Sequence, residues 1–295
     1  MHQIIYKILI ILSIYCIYSV AGYGQSAVIG GGPTVSAYFG DMSPFNLKQS
    51  WSQVHPGISL YASKKLLGSI YIEADFEYSN ISGDDKNSRS PDRKARNLNF
   101  KSHIASITGL IGFRQQLISR NRFGFTGALG LTSFSFNPKA NLDGKWYPLQ
   151  PLSTEGQGLT GGAAKTYSLV QFAIPIQVGF FVRIGKRLYC DVELTQYFTT
   201  TDYLDDVSGN YFDSEIILQE KGQLAYTLAD RHAEIDPGSP NYHQGITRGN
   251  PRKNDQFAFI KFGISYSFKI KKIKLDHHKK AKCPELSKKW FEDGY

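Results

Sequence analysis

Alternation with a period of two recurs along this chain, and a sequence patterned that way folds into half-buried β-strands. Ile70, Ile72, Ala74, Phe76 and Tyr78 share one parity, and Tyr71, Glu73, Asp75 and Glu77 the other. Residues 170–183 place Val170, Phe172, Ile174, Ile176, Val178, Phe180 and Val182 opposite Gln171, Ala173, Pro175, Gln177, Gly179 and Arg183. Residues 188–195 set Leu188, Cys190, Val192 and Leu194 against Tyr189, Asp191, Glu193 and Thr195. Residues 258–268 set Ala258, Ile260, Phe262, Ile264, Tyr266 and Phe268 against Lys261, Gly263, Ser265 and Ser267. Four less regular segments, 27–39, 57–64, 101–115 and 122–136, complete a set of eight strands.

The first residues read as an export signal. A basic start precedes an almost purely apolar run over residues 8–20, and small residues follow at Ala21, Gly22 and Gly24. That order predicts a secretory signal peptide over residues 1–24. The context of Cys16, after Ile14 and Tyr15, lacks the small residues of a lipidation site. No later apolar stretch reaches the roughly 20 residues of a membrane-spanning helix. The remaining way to span a bilayer is a closed barrel, because lipid cannot satisfy an open backbone edge.

Connection lengths alternate. Short turns are expected at 64–67, around 119–121 and at Gly185 and Lys186, and long loops at 40–56, 81–98, 137–166 and 201–255. An even strand number with turns short at one end and long at the other is the pattern of an outer-membrane barrel, with both termini periplasmic. A soluble sandwich or a lipocalin-like barrel alternates too. The loop asymmetry and the aromatic Phe268 closing the last strand favour the membrane reading. The expected fold is therefore all-β, an eight-stranded antiparallel transmembrane barrel over residues 25–268, followed by a basic periplasmic tail over 269–295.

In such a barrel the charged parity must face inward, and eight strands enclose little more than side chains. Glu73, Asp75, Glu77, Asp191 and Glu193 then need cations, and Arg114, Arg183 and Lys261 share the inward parity. A buried ion-pair plug is the expectation, with a proton or ion path as the alternative.

Net charge is +9, from 34 Lys and Arg against 25 Asp and Glu. Nine lysines and four acids after Phe268 carry five of those excess charges, and no basic helix occurs, which argues against nucleic acid as a partner. No catalytic set, metal or cofactor is expected. His103 and Ser106 have opposite strand parity, and no Gly-x-Ser-x-Gly elbow is present. His277, His278 and Cys283 lack paired ligand spacing. The acids Asp202, Asp205, Asp206 and Asp213 lack the glycine and spacing of a calcium loop and read as a polar loop before a short helix near 214–228. Gly30, Gly31 and Gly32 lie in a strand, where glycine permits close backbone approach. No disulfide between Cys190 and Cys283 is expected.

The third long loop is distinctive. Phe136-Asn137-Pro138-Lys139-Ala140 and then the run from Gly144 through Trp146, Tyr147, Pro148, Glu155 and Gln157 to Gly158 resemble the PorG family, outer-membrane barrels of the Bacteroidetes type IX secretion system. Thr201-Asp202-Tyr203-Leu204-Asp205-Asp206-Val207-Ser208 resembles the same family. Weaker matches fall at Tyr38–Asp41 and at Arg248-Gly249. The resemblance spans about residues 30–268. It implies a non-enzymatic component of an export machine that anchors or scaffolds a periplasmic ring, built from a lipoprotein and its partner protein, at the outer membrane. The alternative is a general small barrel of adhesion or surface protection. Prolines and glycines in the loop suit a folded lid as well as a partner site. Lys271, Lys272, Lys274, Trp290 and Phe291 of the tail are candidate contacts to the ring.

Overall fold

Segments that alternate in sequence alternate in burial. The computed structural model describes residues 26–43, 53–117, 122–237 and 244–269. In it β3 (Ile70–Asp84) buries Tyr71, Glu73, Asp75 and Glu77 while Ile70, Ala74, Phe76 and Tyr78 are exposed. β8 (Val170–Arg183) and β9 (Leu188–Thr199) follow the same rule. The remaining strands of the wall are β1 (Ser26–Phe39), β2 (His55–Leu67), β4 (Asn99–Gln116), β5 (Phe123–Phe136) and β10 (Gln256–Lys269). All pairings with an assigned register are antiparallel. The strand order β3-β2-β1-β10-β9-β8-β5-β4 returns to β3 through a β3–β4 ladder, so the described strands form a closed eight-stranded barrel.

Closure leaves the eight wall strands without a free edge, and what faces outward over their middle is apolar. Leu131 is 73% exposed, and Ile29, Leu60, Phe172, Ile176 and Ile264 are also open to the outside. Aromatic residues gather near both ends of this belt, Phe39, Tyr78, Phe172 and Phe198 towards the long loops and Phe113, Phe123, Phe180 and Tyr266 towards the short turns. An apolar exterior with two aromatic girdles around a polar interior is the inverse of a soluble barrel, and it identifies an outer-membrane barrel. No helix among the described residues is long and apolar enough to cross a membrane.

Several connections differ from expectation, the first long loop among them, because β2 already begins at His55. The first short turn lies at Gly68 and Ser69, because β2 continues through Lys64 and Lys65 to Leu67 past a register shift. Gly68 takes φ +55, a left-handed conformation that the lysines and leucines before it disfavour. β3 likewise runs on to Asp84, paired with Asn99, so the second long loop is residues 85–98 rather than 81–98. Gly32 serves the close approach expected of its strand, since a Cβ there would run into the carbonyl oxygen of Phe262 on β10. The turn expected around residue 120 lies outside the described residues.

The third long loop contains a hairpin, β6 (Lys139–Leu142) and β7 (Lys145–Pro148), joined to β4 by the pairing of Lys101 with Lys139. Its turn is Asp143-Gly144, with φ +51 and +82, the mirror-image geometry that an Asp-Gly pair favours. Pro148 ends the outer strand, where a missing donor costs nothing. Short helices complete the loops, α1 (Pro91–Arg96) in the second and α2 (Ser214–Lys221) and α3 (Gln223–Ala229) in the fourth. Gly222, at φ +84, divides the single helix expected near 214–228 into two.

Candidate functional site

The interior is built in layers from the short-turn end upward. At the base, the Arg114 guanidinium lies 3.9 Å from the Phe181 ring centroid and 4.9 Å from that of Tyr189. Aromatic faces, not carboxylates, receive this cation. Arg183 shares the inward parity but is exposed at the end of its strand, so it does not join the interior acids.

Above this base sits Lys261, 1% exposed. Its Nζ is 2.7 Å from Asp75 Oδ2, 2.8 Å from Glu193 Oε2 and 3.9 Å from Glu73 Oε1. The ammonium also lies 4.1 Å from the centroid of the Tyr61 ring. Asp191 accepts from the Tyr61 hydroxyl at 2.6 Å and from Ser265 at 3.1 Å. Glu77 accepts from the Tyr197 hydroxyl. One lysine thus serves three of the five acids, and hydroxyls serve the other two. Each of the five is at least nine-tenths buried.

The next layer is aromatic. Tyr197 stacks on Phe257 with centroids 4.5 Å apart, Phe257 meets Phe134 edge-on at 5.3 Å, and Phe100 meets Tyr38 edge-on at 4.9 Å. Apolar residues of the long loops, among them Leu98, Leu149, Leu204, Val207 and Leu228, continue this core upward. The loops therefore form a packed cap over the barrel mouth.

Charged residues knit the cap together. Glu155 of the third loop accepts from Arg248 at 2.9 Å and from the backbone N–H groups of Ser208 and Gly209, each at 3.0 Å. Arg248 also donates to the carbonyl of Asp206 at 2.6 Å. Arg96 of the second loop grips both oxygens of Asp85 at 2.8 Å and donates to the Arg248 carbonyl. Arg231 holds Glu234 through two hydrogen bonds and donates to the Asn141 carbonyl at 3.0 Å.

The loop residues singled out in sequence mostly lie inside this cap. Asp206 accepts from Tyr167 at 2.6 Å and from Thr154. Asp205 lies 2.6 Å from the Tyr38 hydroxyl and accepts from the Val207 N–H at 2.9 Å. Tyr203 stacks on Tyr167 at 4.7 Å, and the Gln157 side chain accepts from the Glu155 N–H. Asp213 caps the N-terminus of α2. Tyr147 packs against the apolar core, with Lys145 over its ring, whereas Trp146 is exposed. Among the described residues no cluster of three or more His, Cys, Asp or Glu has the geometry to hold a metal. His103 is half-buried on the outer face and Ser106 is buried inside. Lys271, Lys272, Lys274, Trp290 and Phe291 lie outside the described residues. The Arg96–Asp85 and Glu155–Arg248 pairs were missed in sequence. Glu155 and Arg248 stand 93 residues apart, so that pair leaves no local signal.

Burial sets the protonation of the cap acids. Burial pushes Asp206 up to about 6, although Arg248 and its hydroxyl donors oppose the rise. Asp202 is raised to about 7, first by burial and then by the carboxylates of Asp41 and Glu155. Burial also holds Asp205 and Asp255 well above the usual carboxylate range.

No family model and no curated protein matches the sequence. Three solved structures with which the chain aligns are all outer-membrane proteins. They are the attachment invasion locus protein Ail of Yersinia pestis (9% identity, 83% of this chain and 100% of that one, TM-score 0.39), OprG of Pseudomonas aeruginosa (10%, 84% and 99%, 0.39) and a major outer membrane protein of Thermus thermophilus (9%, 83% and 100%, 0.42).

Two outcomes follow from these layers. Lys261→Met keeps most of the side-chain volume but leaves the lumen acids without their ammonium. Loss of one partner from a buried ion pair costs about 3–5 kcal/mol, read as a lower urea midpoint for the loss of heat-modifiable migration. Glu73→Gln, at the loosest contact, should move that midpoint much less. The cap should loosen as pH rises. The folded cap keeps Asp206 protonated up to about pH 6, whereas in an opened loop it ionises near 4. Its contribution, roughly 3 kcal/mol at most, is complete below pH 4 and lost as pH climbs through 6. Proteinase K should cut residues 137–169 and 200–255 faster at pH 8 than at pH 5, and Asp206→Asn should flatten the difference.

Proposed function

We propose that this chain is a non-enzymatic outer-membrane barrel that works as a binding platform, of the adhesion or surface-protection kind, with its long loops outside and both termini periplasmic. The observation that carries this reading is the cap. Loops that a conducting or lipid-modifying barrel would keep open are here tied to one another through Glu155–Arg248 and through the hydrogen bond from Arg96 to the Arg248 carbonyl. A surface held in one conformation before contact loses little entropy on binding. Ile235 and Ile246 offer exposed apolar contacts on that surface.

A second reading is favoured by the loop motif. The stretch from Trp146 to Gly158 and the Thr201–Ser208 stretch resemble PorG-family barrels, which suggests a scaffold of the type IX machinery. In that reading the basic tail, through Lys271, Lys272, Lys274, Trp290 and Phe291, reaches a periplasmic ring lipoprotein and its partner protein.

One experiment separates the two. A photo-crosslinker is placed at Ile235 in the cap and another at Lys274 in the tail of the full chain in living cells, beside a clean deletion strain. The platform reading expects capture of an external ligand from the cap and normal export of type IX cargo by the deletion strain. Loss of cargo export, with a periplasmic lipoprotein captured from the tail, overturns it in favour of the scaffold.

A further inference from the structure

The outer wall carries a basic groove where β3, β4 and the β6–β7 hairpin meet. Asn80, Lys101, His103, Asn137, Lys139 and Trp146 line it. Register explains why they share one face. Asn80 pairs with His103, Lys101 with Lys139, and Asn141 with Trp146, so the parity that points to lipid lower on β3 and β4 carries these side chains above it. Each of the six side chains carries at least one N–H donor.

The lysine pair is the anomaly. Like charges placed directly opposite in a ladder destabilise it. Among the described residues neither Lys101 nor Lys139 has an ion pair in this structure. The hairpin meets β4 at this pair of lysines. An anion between the two ammonium groups turns that repulsion into a clamp.

Height narrows the identity of the anion. Ile70, Phe76 and Tyr78 face outward below the groove, as do Ile107 and Phe113 on the neighbouring strand. Ten residues from Ile70 to Asn80, at about 3.3 Å each and tilted by about 40°, rise roughly 25 Å. That is the height of an apolar band, so the groove opens at headgroup level, with the lysines within reach above it. Trp146 overhangs it with its ring exposed, the placement of an interfacial tryptophan.

We propose that this groove seats the phosphate-bearing headgroup of a lipid in the leaflet on the long-loop side, held between Lys101 and Lys139 beneath Trp146. The lipid belt runs directly into the groove, which favours a lipid phosphate over a free one. This site is separate from the binding surface of the cap and rests only on the membrane placement of the barrel.

The test titrates diphosphoryl lipid A onto the detergent-solubilised full chain, followed by native mass spectrometry. Two lysines beside an anionic headgroup imply that Lys101→Gln with Lys139→Gln weakens binding roughly thirty-fold. The same double variant should melt no lower than the natural chain in lipid-free detergent, because it removes a repulsion. Lys139→Glu should raise that melting point, through a pair with Lys101, and abolish lipid binding. Inorganic phosphate at matched phosphate concentration should not compete. Equal lipid binding by the natural chain and both variants overturns the proposal, as does no binding by any of them. Competition by inorganic phosphate, or binding of a soluble acidic polysaccharide in place of the lipid, also overturns the lipid assignment.

Discussion

The ammonium of Lys261 is the contact around which the rest of this molecule is arranged. It rises from β10 and reaches Asp75 on β3 and Glu193 on β9, strands on different sides of the lumen. Most apolar side chains of the barrel wall face the membrane, and below the aromatic layer the lumen is filled by what the inward parity supplies, which there is acidic. Lys261 makes that filling cohesive, since a buried acid without a partner is costly and a bridged one ties walls together. Asp75, Glu77 and Asp191 each retain one carboxylate oxygen without a protein hydrogen bond, so the network has little redundancy. Substituting the one lysine therefore affects several strands at once.

The same economy appears in the cap, with arginine in place of lysine. Arg248 and Arg96 are buried planar cations that gather carboxylates and carbonyls from separate loops. Guanidinium suits this position because its fixed fork satisfies several acceptors from one side chain. Between the two charged layers lies the aromatic floor of Tyr197, Phe257 and Phe134. Two polar networks stacked around an apolar layer make a barrel closed at its mouth, and that closure directs attention to its surfaces.

What could be read in the sequence was what repeats locally. Alternation exposed the eight wall strands because each strand meets lipid on one side and lumen on the other, as Glu73, Asp75 and Glu77 against Phe76 and Tyr78 show. It also marked Lys261 as inward. Parity could not say where along the barrel axis a side chain lies, and so it grouped Arg183 and Arg114 with Lys261. The first reaches solvent and the second an aromatic shelf. The hairpin at Lys139–Pro148 was obscured by its proline, although Asp143-Gly144 is itself a turn signal. The Glu155–Arg248 pair was beyond reach because only the closed barrel brings the third loop to the fourth. The motif residues Glu155, Asp205 and Asp206 thus looked as suited to recognition as to structure, and the geometry places them within the cap.

The central claim is that side chains around Lys261 fill the lumen and the cap closes it, leaving a platform in place of a pore. Single-channel recording of the purified full chain in a planar bilayer tests this most directly. The account predicts no steady unitary current at either polarity. A reproducible open level of defined conductance would contradict it.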